Sequence, residues 1–587
     1  MTQTTPQIDF THLGKQTTHL LEQFVQQQGE TVQSLTPIME GFQQLTHNML
    51  QNPQQLMQMQ FDLYQATLNL WAHMAERAMA GENNENIEPL YAPQKGDGRF
   101  KSDEWQENLV FDFIKQSYLL TSQWLLDAVQ KTDNLDEETR TKVSFYTRQY
   151  LDALSPTNFP LTNPEVLKAT VESNGENLIN GLQNLLTDIQ RGKISMTDYE
   201  AFEIGKNIAT TEGEVVFRNH MFELIQYTPK TKKVYEKPLL ITPPWINKYY
   251  ILDLQPKNSL IKYAVEECGV QTFLISWKNP DETYKDISFE DYMQDALLEA
   301  VTQVLEITGQ KDLNAVGYCI GGTLLAATLA VMKKKKDTRI NSATFFTTLT
   351  DFSEAGELKI FTDEAQISHL EEKMNQRGYL DGKEMAATFS MLRANDLIWG
   401  FVVNNYLLGK QPFPFDLLYW NDDPTRMPAA MHSWYLRNLY LENNLVKKNH
   451  LTLMGETVDI SLIDVPLYMV GAISDHITPW QSTYGPLVDM ASKDKTYVLS
   501  KAGHIAGVVN PPTPEGKPIK RAYWTGNIDN KNPDVWLKQQ EQQSDSWWPH
   551  WNAWLSTKSG KKIDSPKKLG SSKNKPLCAA PGTYVKE

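Results

Sequence analysis

Cysteine is scarce in this chain: 587 residues contain three, Cys268, Cys319 and Cys578, widely spaced and odd in number. No disulfide framework or zinc motif can be built from that spacing, which favours a reducing cytoplasm. Positive charge is in deficit. With 56 basic against 71 acidic residues the net charge is -15, which argues against nucleic acid as a general partner. Met1–Phe10 lacks a basic region followed by an apolar one, so no secretory leader is expected. One long uncharged run, Ala315 to Met332, is followed by Lys333 to Lys336 and superficially resembles a membrane span with a basic flank. The glycine turn inside it argues for a strand, a sharp turn and a buried helix instead, so no transmembrane segment is expected. No internal repeat is evident.

What is present suits a large globular protein. Hydrophobic residues make up 41% and charged residues 22%, and the length allows about two to four domains. Residues 1 to about 200 read as mainly helical. Leu56, Met59, Leu63, Ala66, Leu70 and Met74 recur at three- and four-residue steps, which puts them on one helical face. Such a face either packs on its own domain or offers an apolar surface to a partner chain or hydrophobic particle. Helical segments follow at Trp105 to about Lys131, Asp136 to Leu154, and Asn163 to about Arg191, with Pro156, Pro160 and Pro164 as breaks.

Strands dominate after Glu214. Val215–Phe217 and Met221–Tyr227 read as a pair, and Pro238–Thr242, Gly269–Trp277, Leu313–Tyr318, Ser342–Leu349, Val465–Gly471 and Lys495–Ser500 as further strands. Helical stretches between them, Ser288 to Ile307 among them, predict a mostly parallel sheet covered on both faces. Residues 201–587 are thus expected to form an α/β domain of α/β-hydrolase type. An aromatic-rich helical insertion at about 351–445 would cap it, and Trp547, Trp548, Trp551 and Trp554 mark a C-terminal helix. The Lys-, Ser- and Gly-rich stretch from Lys558 to Lys575, in a tail spanning 558–587, reads as a mobile surface segment.

The centre of the pattern is Gly317-Tyr318-Cys319-Ile320-Gly321, a nucleophile elbow with cysteine in place of the usual serine. An elbow cramps the backbone at the nucleophile, so small residues are required two positions to either side. The helix that follows aims its N–H groups and positive dipole end at the sulfur, an environment that favours thiolate. A cysteine nucleophile needs a base, and the base an orienting carboxylate. Asp475 falls in the loop after the strand Val465–Gly471 and His504 in the loop after Lys495–Ser500. The order nucleophile, acid, histidine is that of α/β-hydrolases. His476 is a rival base. One oxyanion-hole N–H is expected from Ile320 and a second from Ile246, in the loop after an earlier strand.

Several longer motifs occur in fixed order. They are Pro243-Pro244-Trp245-Ile246-Asn247-Lys248-Tyr249-Tyr250-Ile251-Leu252-Asp253-Leu254, Ser276-Trp277-Lys278-Asn279-Pro280, Gly317-Tyr318-Cys319-Ile320-Gly321-Gly322, Asp475-His476 and Gly503-His504-Ile505-Ala506-Gly507. Together the chain resembles a polyhydroxyalkanoate synthase of the single-subunit, class I type. Leu154-Ser155-Pro156-Thr157-Asn158-Phe159, Asn163-Pro164-Glu165-Val166 and Ala579 to Val585 extend the likeness over most of the chain from about residue 90, while residues 1 to about 90 match poorly. Trp245 stands where other members can carry a different residue, a difference that would bear on the pocket and not on the triad.

The resemblance implies polymerisation of (R)-3-hydroxyacyl-CoA, 3-hydroxybutyryl-CoA above all, into polyester with release of coenzyme A. Cys319 would carry the acyl chain as a thioester and His504 would be the general base. Asp475 would orient His504 or assist deprotonation of the hydroxyl. No cofactor or metal is implied, since coenzyme A arrives in the substrate and leaves as product. The implied partners are the growing polyester chain, the granule surface and a second copy in a homodimer, with a cytoplasmic, granule-associated location. Two other readings stay open: a thioesterase or polyester depolymerase using the same triad, and a non-enzymatic granule-coat protein.

Overall fold

The computed structural model describes residues 40–80, 87–528 and 530–587. The Met1–Phe10 stretch discussed above lies outside them. The chain divides into two compact units, Met1–Gln183 with Ala394–Gly409, and Asn184–Arg393 with Lys410–Glu587.

Among its described residues the first unit is helical. The helix Pro53–Ala80 buries Met59, Leu70 and Met74, and Leu70 and Met74 cluster with Leu120 of the helix Leu109–Lys131, with Leu63 and Ala66 packed beside them. The periodic apolar face therefore packs on its own unit. The stretch expected to run unbroken from Trp105 to Lys131 is divided at Asn108, whose side chain accepts from the N–H groups of Val110 and Phe111 and caps the longer helix. In the same way Asp136 accepts from the Thr139 N–H at the start of Glu137–Ala153. The run from Asn163 to Arg191 becomes two helices, Pro164–Glu172 and Glu176–Arg191. They part where Asn174 (φ 51°) and Gly175 (φ 84°) take left-handed conformations that end a helix.

The second unit is built on a 12-stranded sheet: β1 (Gly213–Arg218), β2 (Phe222–Tyr227), β3 (Lys233–Thr242), β4 (Val270–Trp277), β5 (Leu313–Tyr318), β6 (Ile340–Phe346), β7 (Leu467–Ala472), β8 (Lys495–Ser500), β9 (Ala522–Asn527), β10 (Gln543–Ser544), β11 (Lys562–Asp564) and β12 (Cys578–Ala579). The order across it is 10-9-8-7-6-5-3-4-2-1-12, with β11 on β3. Strands β4-β3-β5-β6-β7-β8 are mutually parallel, and those at the two edges are antiparallel. Every residue of β4, β5 and β7 is buried, as expected of strands covered on both faces.

The uncharged run resolves into β5 and the helix Ile320–Lys334, and among the described residues no helix is long and apolar enough to cross a membrane. Strand β6 stops at Phe346, short of the expected Leu349, because Thr347 turns the chain at φ 38°. The Lys-rich tail is corrected as well. It is tied to the sheet through β11, which pairs with Lys233–Tyr235, and β12, which pairs with Glu214 and Val215. Its stabilisation is backbone pairing to strand edges, which leaves no hydrophobic pattern to read.

Candidate active site

Cys319 sits between the last residue of β5 and the first of the helix Ile320–Lys334, with φ 52° and ψ -124°. A non-glycine residue in such a conformation costs on the order of 1–3 kcal/mol, and the surroundings must enforce it. They do so by crowding. A Cβ on Gly317 would lie 2.4 Å from the Gly322 Cα, and one on Gly321 would lie 2.3 Å from the Thr242 carbonyl oxygen at the end of β3. The Cys319 N–H donates to the Phe346 carbonyl (2.9 Å), which pins the elbow to β6.

His504 and Asp475 come to the same place from neighbouring parallel strands. After β7 the chain turns so that Asp475 is buried, and its carboxylate is fully engaged. Oδ1 accepts from the backbone N–H groups of Ile477 (2.9 Å) and Thr478 (2.8 Å). Oδ2 accepts from the Thr478 hydroxyl (2.6 Å) and His504 Nδ1 (2.7 Å). After β8, His504 opens the short helix His504–Val508. A Cβ on Gly507 would lie 2.7 Å from the Ala472 Cβ, so glycine permits this helix to press against the end of β7. The indole N–H groups of Trp547 and Trp548 donate to the carbonyls of Gly507 (2.7 Å) and Val508 (3.0 Å), closing the helix's far end. Trp551 reaches Thr344 on β6 (3.1 Å), so the tryptophan-dense helix braces the histidine against the sheet.

The charges of the group are coupled. Burial disfavours an imidazolium at His504, but the Asp475 carboxylate and the neighbouring Cys319 outweigh it and hold the imidazole pKa well above its ordinary value. Burial likewise penalises the Asp475 carboxylate, and His504 and Thr478 overcome it and hold its pKa below the usual range. With Nδ1 committed to Asp475, Nε2 is the ring nitrogen left for sulfur. The Tyr318 ring stacks beside the imidazole at 6.0 Å.

Cys319 opens into a cavity of about 210 Å³. Ile246 and Ile320, the two expected oxyanion donors, both line it. The Ile246 loop is held by Thr425, whose N–H donates to the Ile246 carbonyl (2.9 Å) and whose hydroxyl donates to the Trp245 carbonyl. Trp245 itself is buried between the rings of Trp277 (5.4 Å) and Tyr292 (4.6 Å). Most of the cavity's other lining comes from the segment between β6 and β7, including Leu358, Phe361, Met385, Phe389, Met427 and Leu436. Sequence reasoning missed His432, Tyr435 and Tyr440, which also line it, because no motif marks them. His476, the rival base, receives the Glu357 N–H at its backbone carbonyl.

Residues 96–264 match the family described as Poly-beta-hydroxybutyrate polymerase (PhaC) N-terminus, and residues 238–511 match the alpha/beta hydrolase fold. The Poly(3-hydroxyalkanoate) polymerase of Methylorubrum extorquens is 44% identical over 566 residues, covering 95% of this chain and 92% of that protein. The chain belongs to the poly(3-hydroxyalkanoate) polymerase family. The polymerase subunit PhaC of Rhizobium meliloti is also 44% identical, over 92% of this chain and 86% of its own length, and that of Cupriavidus necator is 42% identical over 87% and 85%. The Methylorubrum alignment extends into the first ninety residues, where the sequence motifs gave little likeness to the polymerases. Within this polymerase, the elbow, the loop carrying Ile246 and the strand ends carrying Asp475 and His504 all fall inside the hydrolase-fold match.

Proposed function

We propose that this polymerase joins (R)-3-hydroxyacyl-CoA units, 3-hydroxybutyryl-CoA first among them, into polyester through an acyl thioester on Cys319. The observation that carries the reading is the buried hydrogen bond of His504 to Asp475 beside Cys319, the residue that opens into a mostly apolar cavity. With His504 held as imidazolium beside Cys319, the proton shared by the pair rests on Nε2 while sulfur attacks the substrate thioester carbonyl, and the imidazolium then gives that proton to the departing coenzyme A sulfur. One thioester replaces another, so the step is nearly balanced in energy. His504 then takes the proton of a 3-hydroxyl. The oxygen attacks the acyl carbonyl on Cys319, an ester bond forms, and the Cys319 sulfur leaves and regains the proton.

Backbone N–H groups of Ile320 and Ile246 would hold the oxyanion in both steps. Asp475 serves as the orienting partner, because both of its oxygens already accept hydrogen bonds. The apolar lining keeps water from the acyl-enzyme, which separates a polymerase from a thioesterase. No cofactor takes part, since coenzyme A enters and leaves with the substrate. The protein works as a cytoplasmic homodimer at the granule surface, and sedimentation of the substrate-primed protein as a monomer would remove the dimer.

The test is a paired assay with (R)-3-hydroxybutyryl-CoA that follows thiol release and recovers the product. Thiol release with high-molecular-weight polyester, both lost in Cys319→Ala, is expected. Thiol release with free 3-hydroxybutyrate alone would make the protein a thioesterase. Granule binding with no thiol release from monomers of any length would make it a coat protein.

A further inference from the structure

The threonines and the carboxylate in the cavity's lining are committed within the protein. The Thr323 hydroxyl donates to the Leu349 carbonyl (2.7 Å), Thr362 to that of Lys359 (2.9 Å) and Thr388 to that of Glu384 (3.1 Å). Thr478 is held by Asp475, and the Glu384 carboxylate by Arg377 (2.7 Å). Tyr435 and Tyr440 pack ring edge to ring face at 5.7 Å. His432 differs. It is 4% exposed, it lines the cavity, and its Nδ1 is buried with no hydrogen-bond partner. It is held in the helix Ala429–Tyr435, with its ring stacked over Tyr435 at 6.5 Å and 17°. Tyr435 and Tyr440 line the same cavity as Cys319.

A buried polar group without a partner destabilises the free protein, so its presence in an apolar wall asks for a ligand atom to complete it. Burial pushes the imidazole pKa down to about 4, so the ring is neutral at physiological pH and offers one N–H donor and one acceptor nitrogen. A hydroxyacyl thioester brings two polar sites into such a cavity. The thioester carbonyl belongs at the elbow, beside sulfur and the backbone N–H groups. What remains is the hydroxyl, which is both donor and acceptor, as is neutral imidazole, while the alkyl part meets the apolar wall.

We propose that His432 is a specificity-determining residue that hydrogen-bonds the 3-hydroxyl of the acyl unit being loaded onto Cys319. This rests on the acyl-transfer reading above. It makes acylation selective for hydroxyacyl over plain acyl thioesters, a selection the triad cannot make because the hydroxyl is remote from the thioester carbon.

The experiment compares single-turnover coenzyme A release from (R)-3-hydroxybutyryl-CoA and from butyryl-CoA, with enzyme in excess, in wild type, His432→Leu and His432→Gln. His432→Leu is expected to slow the hydroxyacyl substrate about 10- to 100-fold and butyryl-CoA less than about 3-fold, since a site loses discrimination when its polar partner is removed. His432→Gln, which keeps a donor and an acceptor, recovers part of the preference. The melting temperature of His432→Leu is expected to equal or exceed that of wild type, because an unpartnered buried polar group is gone. Equal slowing of both substrates with a lowered melting temperature would assign His432 a structural role and overturn the inference. So would an unchanged preference in His432→Leu. Failure of wild type to release coenzyme A from either thioester would strike the acyl-transfer reading instead.

Discussion

Replacing Asp475 by asparagine separates the two roles that its position allows. Asparagine has nearly the same shape, and its carbonyl oxygen can still accept from the N–H groups of Ile477 and Thr478, as Asp475 Oδ1 does. Its amide nitrogen would then occupy the place of Oδ2, 2.7 Å from His504 Nδ1 and 2.6 Å from the Thr478 hydroxyl. An NH2 group there donates to Nδ1, which fixes the histidine proton on Nε2, facing sulfur, where a free lone pair is required. It also removes the negative charge that holds the imidazolium in a buried site. A charge-assisted hydrogen bond contributes about 1.5–3 kcal/mol, and the wrong tautomer adds to that. A total of about 3–5 kcal/mol corresponds to roughly 10²- to 10⁴-fold in rate. Single-turnover coenzyme A release measures acylation, and steady-state polymer growth measures elongation. An orienting Asp475 predicts that both fall together. Acylation within about threefold of wild type, with elongation lost, would refute the reasoning and make Asp475 the base that acts on the hydroxyl.

Four further outcomes follow from the structure. His504, raised from an ordinary value near 6.5 to about 10, contributes stability that is complete below about pH 6.5 and is lost as pH rises toward 10. Asp475, lowered from about 3.9, contributes stability that is lost as pH falls below about 4. Melting temperature measured against pH should therefore decline on both sides for wild type and more gently for Asp475→Asn; identical profiles would dissolve the pair. Gly321→Ala places a methyl group against the Thr242 and Pro243 carbonyls and should destabilise by at least about 1–3 kcal/mol in denaturant melts. Gly485→Ala, with open space around its Cβ inside the helix Trp480–Asp489, should be neutral or gain up to about 1 kcal/mol. Trp547→Phe keeps an aromatic ring but strands the Gly507 carbonyl at the end of the His504 helix, and should lower kcat by about 3- to 30-fold with KM little changed. An unchanged kcat would mean that the helix end does not position the histidine.

The sequence by itself determined the elbow, the order of nucleophile, acid and histidine, and the parallel core of the sheet. Each is written in local pattern: glycines two residues to either side of Cys319, and uncharged, largely apolar runs for β4, β5 and β7, buried on both faces. The strand ends then dictated where Asp475 and His504 would emerge. What the sequence did not carry were contacts between distant segments. Only the tertiary structure brings His504 Nδ1 to the Asp475 carboxylate and sets two tryptophan indoles against the carbonyls of the His504 helix. The same holds for the Lys-rich tail, whose pairing with the edges of the sheet leaves no hydrophobic period in its own residues. His432 is the clearest instance, since a lone histidine in an aromatic helical stretch has no local signature. It acquires meaning only because folding brings it to the cavity that holds Cys319, dehydrated and without a partner for Nδ1.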